Sequence, residues 1–314
     1  MSGRGSLYSL DNKWTALSQT MREKKLGIMA LQETHLPPED VETVHKMYGK
    51  RIRLVNSPDP TNASGARGVA IALNRELVDI SDVTSHVLVP GRALIVRTKW
   101  HNDKYITIMN IYALNDVAAN EEFWAAIENA LDNPRVPKPD VLLGDFNLVE
   151  EAIDRLPMKD STPGAVEALQ SLLGKLHLHD GWRITEPSCC DYTFPQRGST
   201  TRSRLDRIYV SQDVLNRSYE WRIESTNIPT DHRLVSVQLT AAEAPYIGKG
   251  TRTEERNPQL MLRNLKDTVR TLARDTLKSR IPKLKAAIKA ATKALSSLQN
   301  SRSKRGQAPC KTRS

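Results

Sequence analysis

Cysteine is scarce in this chain: three in 314 residues, two of them adjacent at 189 and 190 and the third at 310. Three cysteines cannot staple a disulfide framework, and none of the spacings suits a zinc site. A reducing, intracellular compartment is the expectation. Long hydrophobic runs are also missing: nothing approaches the roughly 20 apolar residues that cross a bilayer. The N-terminus lacks the pattern of a secretory signal. A soluble protein, without disulfides and without a membrane partner, is therefore expected. Acidic residues thin out toward one end. Residues 246–314 hold 4 Asp and Glu against 18 Lys and Arg, a net of +14, which leaves −4 for everything before them. A basic tail points to a polyanion, most often nucleic acid, and equally fits a solvated helical face.

With 39% hydrophobic residues, the chain can bury a sizeable core. Apolar runs predict strands at 27–31, 68–73, 93–99, 105–112, 141–143, 204–210 and 234–239. Helical spacing predicts helices at 11–25, with Asp11 or Asn12 as the cap, at 121–131 and at 163–176. Short strands with helices between some of them imply an α/β (α+β) layered domain with sheets at its centre. The composition then divides the chain into a domain at 1–245, a polar linker at 246–259, a basic amphipathic helical extension at 260–300 and a disordered tail at 301–314. In the extension, Ile281, Leu284, Ile288, Ala291 and Leu295 make a narrow apolar stripe beside Lys283, Lys285, Lys289 and Lys293, and Pro282 suits a first helical turn.

Four polar clusters fall at the ends of expected strands, where rigid strands hand over to free loops. They are Gln32-Glu33-Thr34-His35, Gly144-Asp145-Phe146-Asn147, Ser203-Arg204-Leu205-Asp206 and Thr230-Asp231-His232. Each alone also reads as a solvated end or an ordinary turn. Asp206 is harder to dismiss, because a carboxylate entering a buried strand must be paired or hydrogen-bonded. Together they offer the parts of metal-assisted phosphodiester hydrolysis. Carboxylates and amides suit the hard ion Mg²⁺, which offsets charge developing on phosphate. A histidine of near-neutral pKa can take a proton from water, best when a carboxylate fixes its tautomer. Glu33, Tyr112, Asp145, Asn147, Asp206, Asp231 and His232 form such a set.

The ordered series Gln-Glu-Thr-His, Asn-Ile-Tyr-Ala-Leu-Asn, Gly-Asp-Phe-Asn, Ser-Arg-Leu-Asp and Asp-His, with Asp180-Gly-Trp-Arg and Tyr192-Thr-Phe between, resembles the endonuclease/exonuclease/phosphatase superfamily. The motifs run from Gln32 to His232. Leu-Gln-Glu-Thr-His-Leu, Asp-His-Arg-Leu-Val and the exit segment Ala-Pro-Tyr-Ile-Gly-Lys-Gly make it most similar to endonuclease domains of LINE-type (non-LTR) retrotransposons.

The resemblance implies a four-layer α/β sandwich and a Mg²⁺-dependent enzyme, with Mn²⁺ as an alternative ion, that nicks DNA and leaves a 3′-hydroxyl. It implies that Glu33 holds the metal, with Asp231 beside the metal or the leaving oxygen. Asp145 would position or activate the attacking water, Asn147 would bind the scissile phosphate, and Asp206 would orient His232. Tyr112 and Asn115 would face the phosphate or the metal network. Arg197, Arg202 and Arg204, expected to be exposed beside the Gly-Ser-Thr-Thr loop, would contact DNA. Two departures stand out. The family opens with a strand ending in an Asn of the metal site, and the segment Met-Ser-Gly-Arg-Gly-Ser stands where that strand would end. Leu114 replaces a usual Pro. No Tyr-x-Asp-Asp polymerase signature occurs, so this chain could nick but not copy. The alternatives are a weakened nucleic-acid-binding remnant and an apurinic/apyrimidinic repair endonuclease. A nuclear location is the expectation.

Overall fold

The computed structural model describes residues 12–240 apart from 102, 103, 160, 162 and 197, together with 269, 271, 276–278 and 280–296. The chain divides into two compact units, Met1–Ala244 and Pro245–Ser314. The expectations for the opening segment, the 246–259 linker and the 301–314 tail lie outside the described residues, as do Arg197 and Cys310.

In chain order, the first unit comprises α1 (Lys13–Glu23), β1 (Ile28–Gln32), α2 (Pro38–Tyr48), β2 (Ile52–Ser57), β3 (Val69–Asn74), β4 (Thr84–Val89), β5 (Ala93–Lys99) and β6 (Tyr105–Tyr112). It continues with α3 (Val117–Leu131), β7 (Val141–Asp145), a 3₁₀ turn (Ala152–Asp154), β8 (Arg155–Leu156), α4 (Pro163–Leu176), β9 (Leu178–Asp180) and α5 (Gly181–Thr185). The last elements are β10 (Phe194–Pro195), β11 (Arg202–Ser203), β12 (Asp206–Ser211), α6 (Gln212–Asn216), β13 (Ser218–Glu224) and β14 (Leu234–Leu239).

A six-stranded sheet, ordered β4-β5-β6-β7-β12-β9, lies against a second layer made of the three-stranded β1-β3-β2 and the hairpin β13-β14. Three apolar clusters mark the boundaries between four layers. Phe123, Trp124, Ile127 and Leu131 of α3, with Leu169, Leu172 and Leu173 of α4, cover Ile95, Met109, Ile111 and Leu142 on one face of the large sheet. Its other face, through Leu94, Val96, Ile108 and Val210, meets Val69, Ile71 and Leu73 of β3. Trp14, Leu17 and Met21 of α1 and Val44 of α2 close the far side over Ala70 and Ala72. β3 is buried along its whole length, which is why it reads as an unbroken apolar run rather than an alternating one. Burial at roughly 25 cal/mol per Å² of apolar surface makes these three seams the main stabilising term.

Local signals set the element ends. Asn12 caps α1 by accepting from the Trp14 N–H at 2.7 Å. Asp116 caps α3 through the Ala119 N–H at 2.9 Å, so this helix begins four residues earlier than its apolar stripe. The strand expected at 204–210 begins only at Asp206, because Arg204 turns into the core and the Leu205 carbonyl accepts from the Phe146 N–H at 3.0 Å. β4 and β13 carry no clear apolar signal, since much of each is exposed or half-buried.

In the second unit, residues 280–296 are helical and exposed, including Ile281, Leu284, Ile288 and Leu295 of the expected stripe. No helix among the described residues is long and apolar enough to cross a membrane.

Candidate active site

The chemistry-bearing residues meet at one end of the sandwich because of strand register. β6 runs parallel to β7 and pairs Tyr112 with Asp145, and β12 runs antiparallel to β7 and pairs Asp206 with Asp145. Three adjacent strands thus present Tyr112, Asp145 and Asp206 in one row, at the roughly 4.8 Å spacing of neighbouring strands. Gly144 permits the close approach at φ +139°, where an added Cβ would stand 2.0 Å from the Ile111 carbonyl oxygen. From the other layer, Glu33 follows β1, and Asp231 and His232 precede β14. Asn110, fully buried, ties the layers together: its amide donates to the Leu31 and Ala70 carbonyls at 3.0 and 2.9 Å and its oxygen accepts from Gln32 at 2.7 Å.

A cleft of about 570 Å³ results, lined by Glu33, Tyr112, Asn115, Asp145, Asn147, Asp206, Asp231 and His232 among others. Within it, His232 Nδ1 faces Asp206 Oδ2 at 2.8 Å, and Phe194 lies against the imidazole with ring centroids 4.8 Å apart. The Tyr112 hydroxyl donates to Glu33 at 2.5 Å. Asn147 donates its backbone N–H to Asp145 at 3.0 Å and its side-chain amide to the Ala113 carbonyl at 3.0 Å. Glu33 and Asn147 both hold left-handed backbone, at φ +52° and +48°, a conformation uncommon for such residues.

Electrostatics follow from crowding. Burial, with Asp206 next to it, pushes the Asp145 carboxyl up to about 7. Burial would lower His232, but Asp206, Asp145 and Asp231 outweigh it and raise the imidazole to about 9. The histidine thus departs from the near-neutral value expected of it, because the carboxylates around it favour the protonated ring. Burial and the hydrogen bond to Glu33 raise the Tyr112 phenol above its ordinary range. Ligand atoms of Asp145, Asp206 and His232 lie within 4.8 Å of one another. Carboxylates this close, one of them 6% exposed, fit a hard divalent cation, which would relieve their repulsion.

Arg204 is a correction. The sequence predicts it at the surface against DNA, but it is 2% exposed. Its guanidinium is bound to Asp154 at 2.7 and 2.8 Å and to Asp180 at 2.8 Å, while Arg183 also pairs with Asp154. A carboxylate as deeply buried as Asp154 requires such partners. Arg202 is exposed on β11, outside the cleft lining. Residues without a motif also act on the site from behind its lining. Arg92 donates to the Tyr112 and Ala113 carbonyls at 2.9 and 3.1 Å and sits over the Tyr112 ring. Lys13, its pKa lowered by burial, feels the charges of Asp231 and Glu33. Nothing local in the sequence marks either one; only the fold brings them there.

Comparison with known proteins gives these paired layers and their acidic cleft a family. Residues 8–232 match the Endonuclease/Exonuclease/phosphatase family, and the chain belongs to that family. Over 225 residues, 71% of this chain, it is 26% identical to a transposon TX1 uncharacterized 149 kDa protein of Xenopus laevis, and it spans 16% of that protein's length. The fold is similar to that of an AP endonuclease from Archaeoglobus fulgidus, with a TM-score of 0.57 and 20% identity over 76% of this chain and 96% of the other. It is also similar to the endonuclease domain of TRAS1, a telomere-specific non-LTR retrotransposon, with a TM-score of 0.54 and 20% identity over 75% and 93% of the two chains.

Proposed function

We propose that this chain is a divalent-metal-dependent endonuclease that nicks DNA and leaves a 3′-hydroxyl, in the manner of a retrotransposon endonuclease. The observation that carries the reading is the Asp206–His232 pair at 2.8 Å in the same cleft as Asp145, Asn147 and Glu33. The transposon relative and the retrotransposon endonuclease fold support it.

Glu33 and Asp231, which line the same cleft as the crowded Asp145, would hold Mg²⁺ or Mn²⁺ together with it. The ion, when bound, supplies positive charge against the phosphate and relieves the crowded carboxylates. Asp206 engages Nδ1 of His232, which leaves Nε2 for proton transfer. Asp145 positions the attacking water. Asn147 and Asn115 hydrogen-bond the nonbridging phosphate oxygens, and Tyr112, locked by Arg92, keeps Glu33 in place. A nucleic acid is favoured because the +14 carried by residues 246–314 suits a polyanion, the transposon and retrotransposon likenesses favour DNA, and a nuclear setting belongs to the same reading.

The test is a supercoiled-plasmid nicking assay with Mg²⁺, with and without EDTA, followed by polymerase extension from the nick. Metal-dependent conversion to open circles with extendable ends is expected. No nicking with either Mg²⁺ or Mn²⁺ would overturn the reading, and cleavage confined to an abasic duplex would move it to a repair activity.

A further inference from the structure

The Asp206–His232 pair joins two segments that are distant in sequence and belong to different layers. Residues 191–194 grip both of them. Thr193 is fully buried. Its hydroxyl oxygen accepts from the backbone N–H groups of Leu205 and Asp206, at 2.9 and 3.0 Å. Its backbone N–H donates to the Ser203 carbonyl at 3.1 Å, and its carbonyl accepts from the Arg233 N–H at 2.7 Å. One residue therefore holds the backbone of Asp206 with its side chain and the backbone next to His232 with its main chain. The neighbours tighten the same grip. Arg233 reaches back to the Asp191 carboxylate and to the Tyr192 carbonyl, and the Phe194 ring rests on the imidazole.

We propose that Thr193 is the positioning residue of the Asp206–His232 pair, its hydroxyl fixing where the aspartate meets the imidazole. The bonds on the His232 side come from the main chain and survive substitution. On the Asp206 side the main-chain bond to Ser203 also survives, but the two bonds to Leu205 and Asp206 depend on Oγ1, and a methyl group there would leave two part-buried N–H groups without that acceptor. Asp206 would then retreat from Nδ1 while the chain around His232 stays in place.

The inference rests on the nicking activity proposed above, so its test has one arm that needs no turnover. Thr193→Val keeps the shape and removes the acceptor, and Thr193→Ser keeps the acceptor. With plasmid DNA and Mg²⁺, the valine variant is expected to lose about 10- to 100-fold in kcat, the scale of a misplaced reacting group, with KM little changed. The serine variant should regain most of that loss. In a His232→Ala background the valine change should add nothing, since the two act as one unit. In the turnover-free arm, NMR of the ¹⁵N-histidine-labelled protein should show the low-field Nδ1 proton of His232 in wild type and in the serine variant, and its loss in the valine variant. Should the valine variant fail to fold, Asp191→Asn loosens the same segment from a partly exposed position, and a smaller fall in kcat is expected. An undiminished kcat in the valine variant, equal losses with valine and serine, or an unchanged Nδ1 proton would each overturn the role of Thr193. If wild type cleaves no phosphodiester, the proposed activity fails, and the proton resonance still decides the positioning.

Discussion

Asp145 and Asp206 are register partners on the adjacent antiparallel strands β7 and β12, and their carboxylates and the His232 ring come within 4.8 Å of one another. Such crowding costs stability, and the cost has a sign that can be measured. Asp145 titrates at about 7 in the fold against an ordinary 3.8. Below about pH 4 it is protonated in both states and costs nothing. From there to pH 7 the folded state increasingly resists ionisation, and above pH 7 the full penalty stands. Asp145→Asn is therefore expected to abolish nicking yet melt at a higher temperature than wild type in EDTA at about pH 8, with the advantage vanishing toward pH 4. A variant less stable than wild type at pH 8 would refute the account.

His232→Ala should lower kcat by about 10²–10⁴, the usual cost of a lost general acid–base group, without unfolding the domain. Stability carries a second signature. The folded imidazole is raised to about 9 from 6.5, so its contribution is full below pH 6.5 and is lost as pH rises through 9. Chemical denaturation of wild type and variant in EDTA should show a gap that closes across that window. A gap that widens with pH would contradict the Asp206–His232 interaction.

Arg202 and Arg204, two residues apart, should behave oppositely. Removing Arg204 takes two hydrogen bonds from the buried Asp154 carboxylate and leaves it to Arg183 and Arg207, and breaking a buried pair costs up to about 3–5 kcal/mol. Arg202→Ala should leave stability within about 0.5 kcal/mol and weaken DNA binding. Denaturant titrations and duplex-binding isotherms on both variants check this, and a fully stable Arg204→Ala protein would dismiss the network.

The basic extension should supply nonspecific affinity. Each phosphate neutralised adds roughly 0.9 to the slope of log affinity against log salt on duplex DNA. Changing Lys283, Lys285, Lys289 and Lys293 to glutamine in the full chain should flatten that slope by up to about 3 to 4 units and leave kcat unaltered. Identical salt slopes would make these lysines merely solvated charges.

Much of the layered fold was legible because periodicity survives in a single sequence. β5, β6, β14 and α4 appear at their expected bounds, where apolar residues face a core on one side or both. The elements that escaped notice, such as β4, β13 and α2, lie on edges and outer faces where few side chains need be apolar. The polar clusters around Glu33, Asp145, Asp206 and His232 were visible as departures from apolar runs, and their order carried the family resemblance.

The sequence by itself determined which residues can do chemistry, since residue type decides what can bind a cation, move a proton or pair with phosphate. It could not say which of them meet. Arg204 and Arg202 look alike in the chain, yet one is spent on Asp154 and the other faces solvent. Lys13 and Arg92 carry no motif and Thr193 sits in the Tyr192-Thr-Phe segment, and all three acquire their roles only because register and layer packing bring distant segments within hydrogen-bond and Coulomb range. The same packing raised the pKa values of Asp145 and His232. Burial and neighbouring charge are properties of three-dimensional surroundings, and a linear order of residues does not contain them.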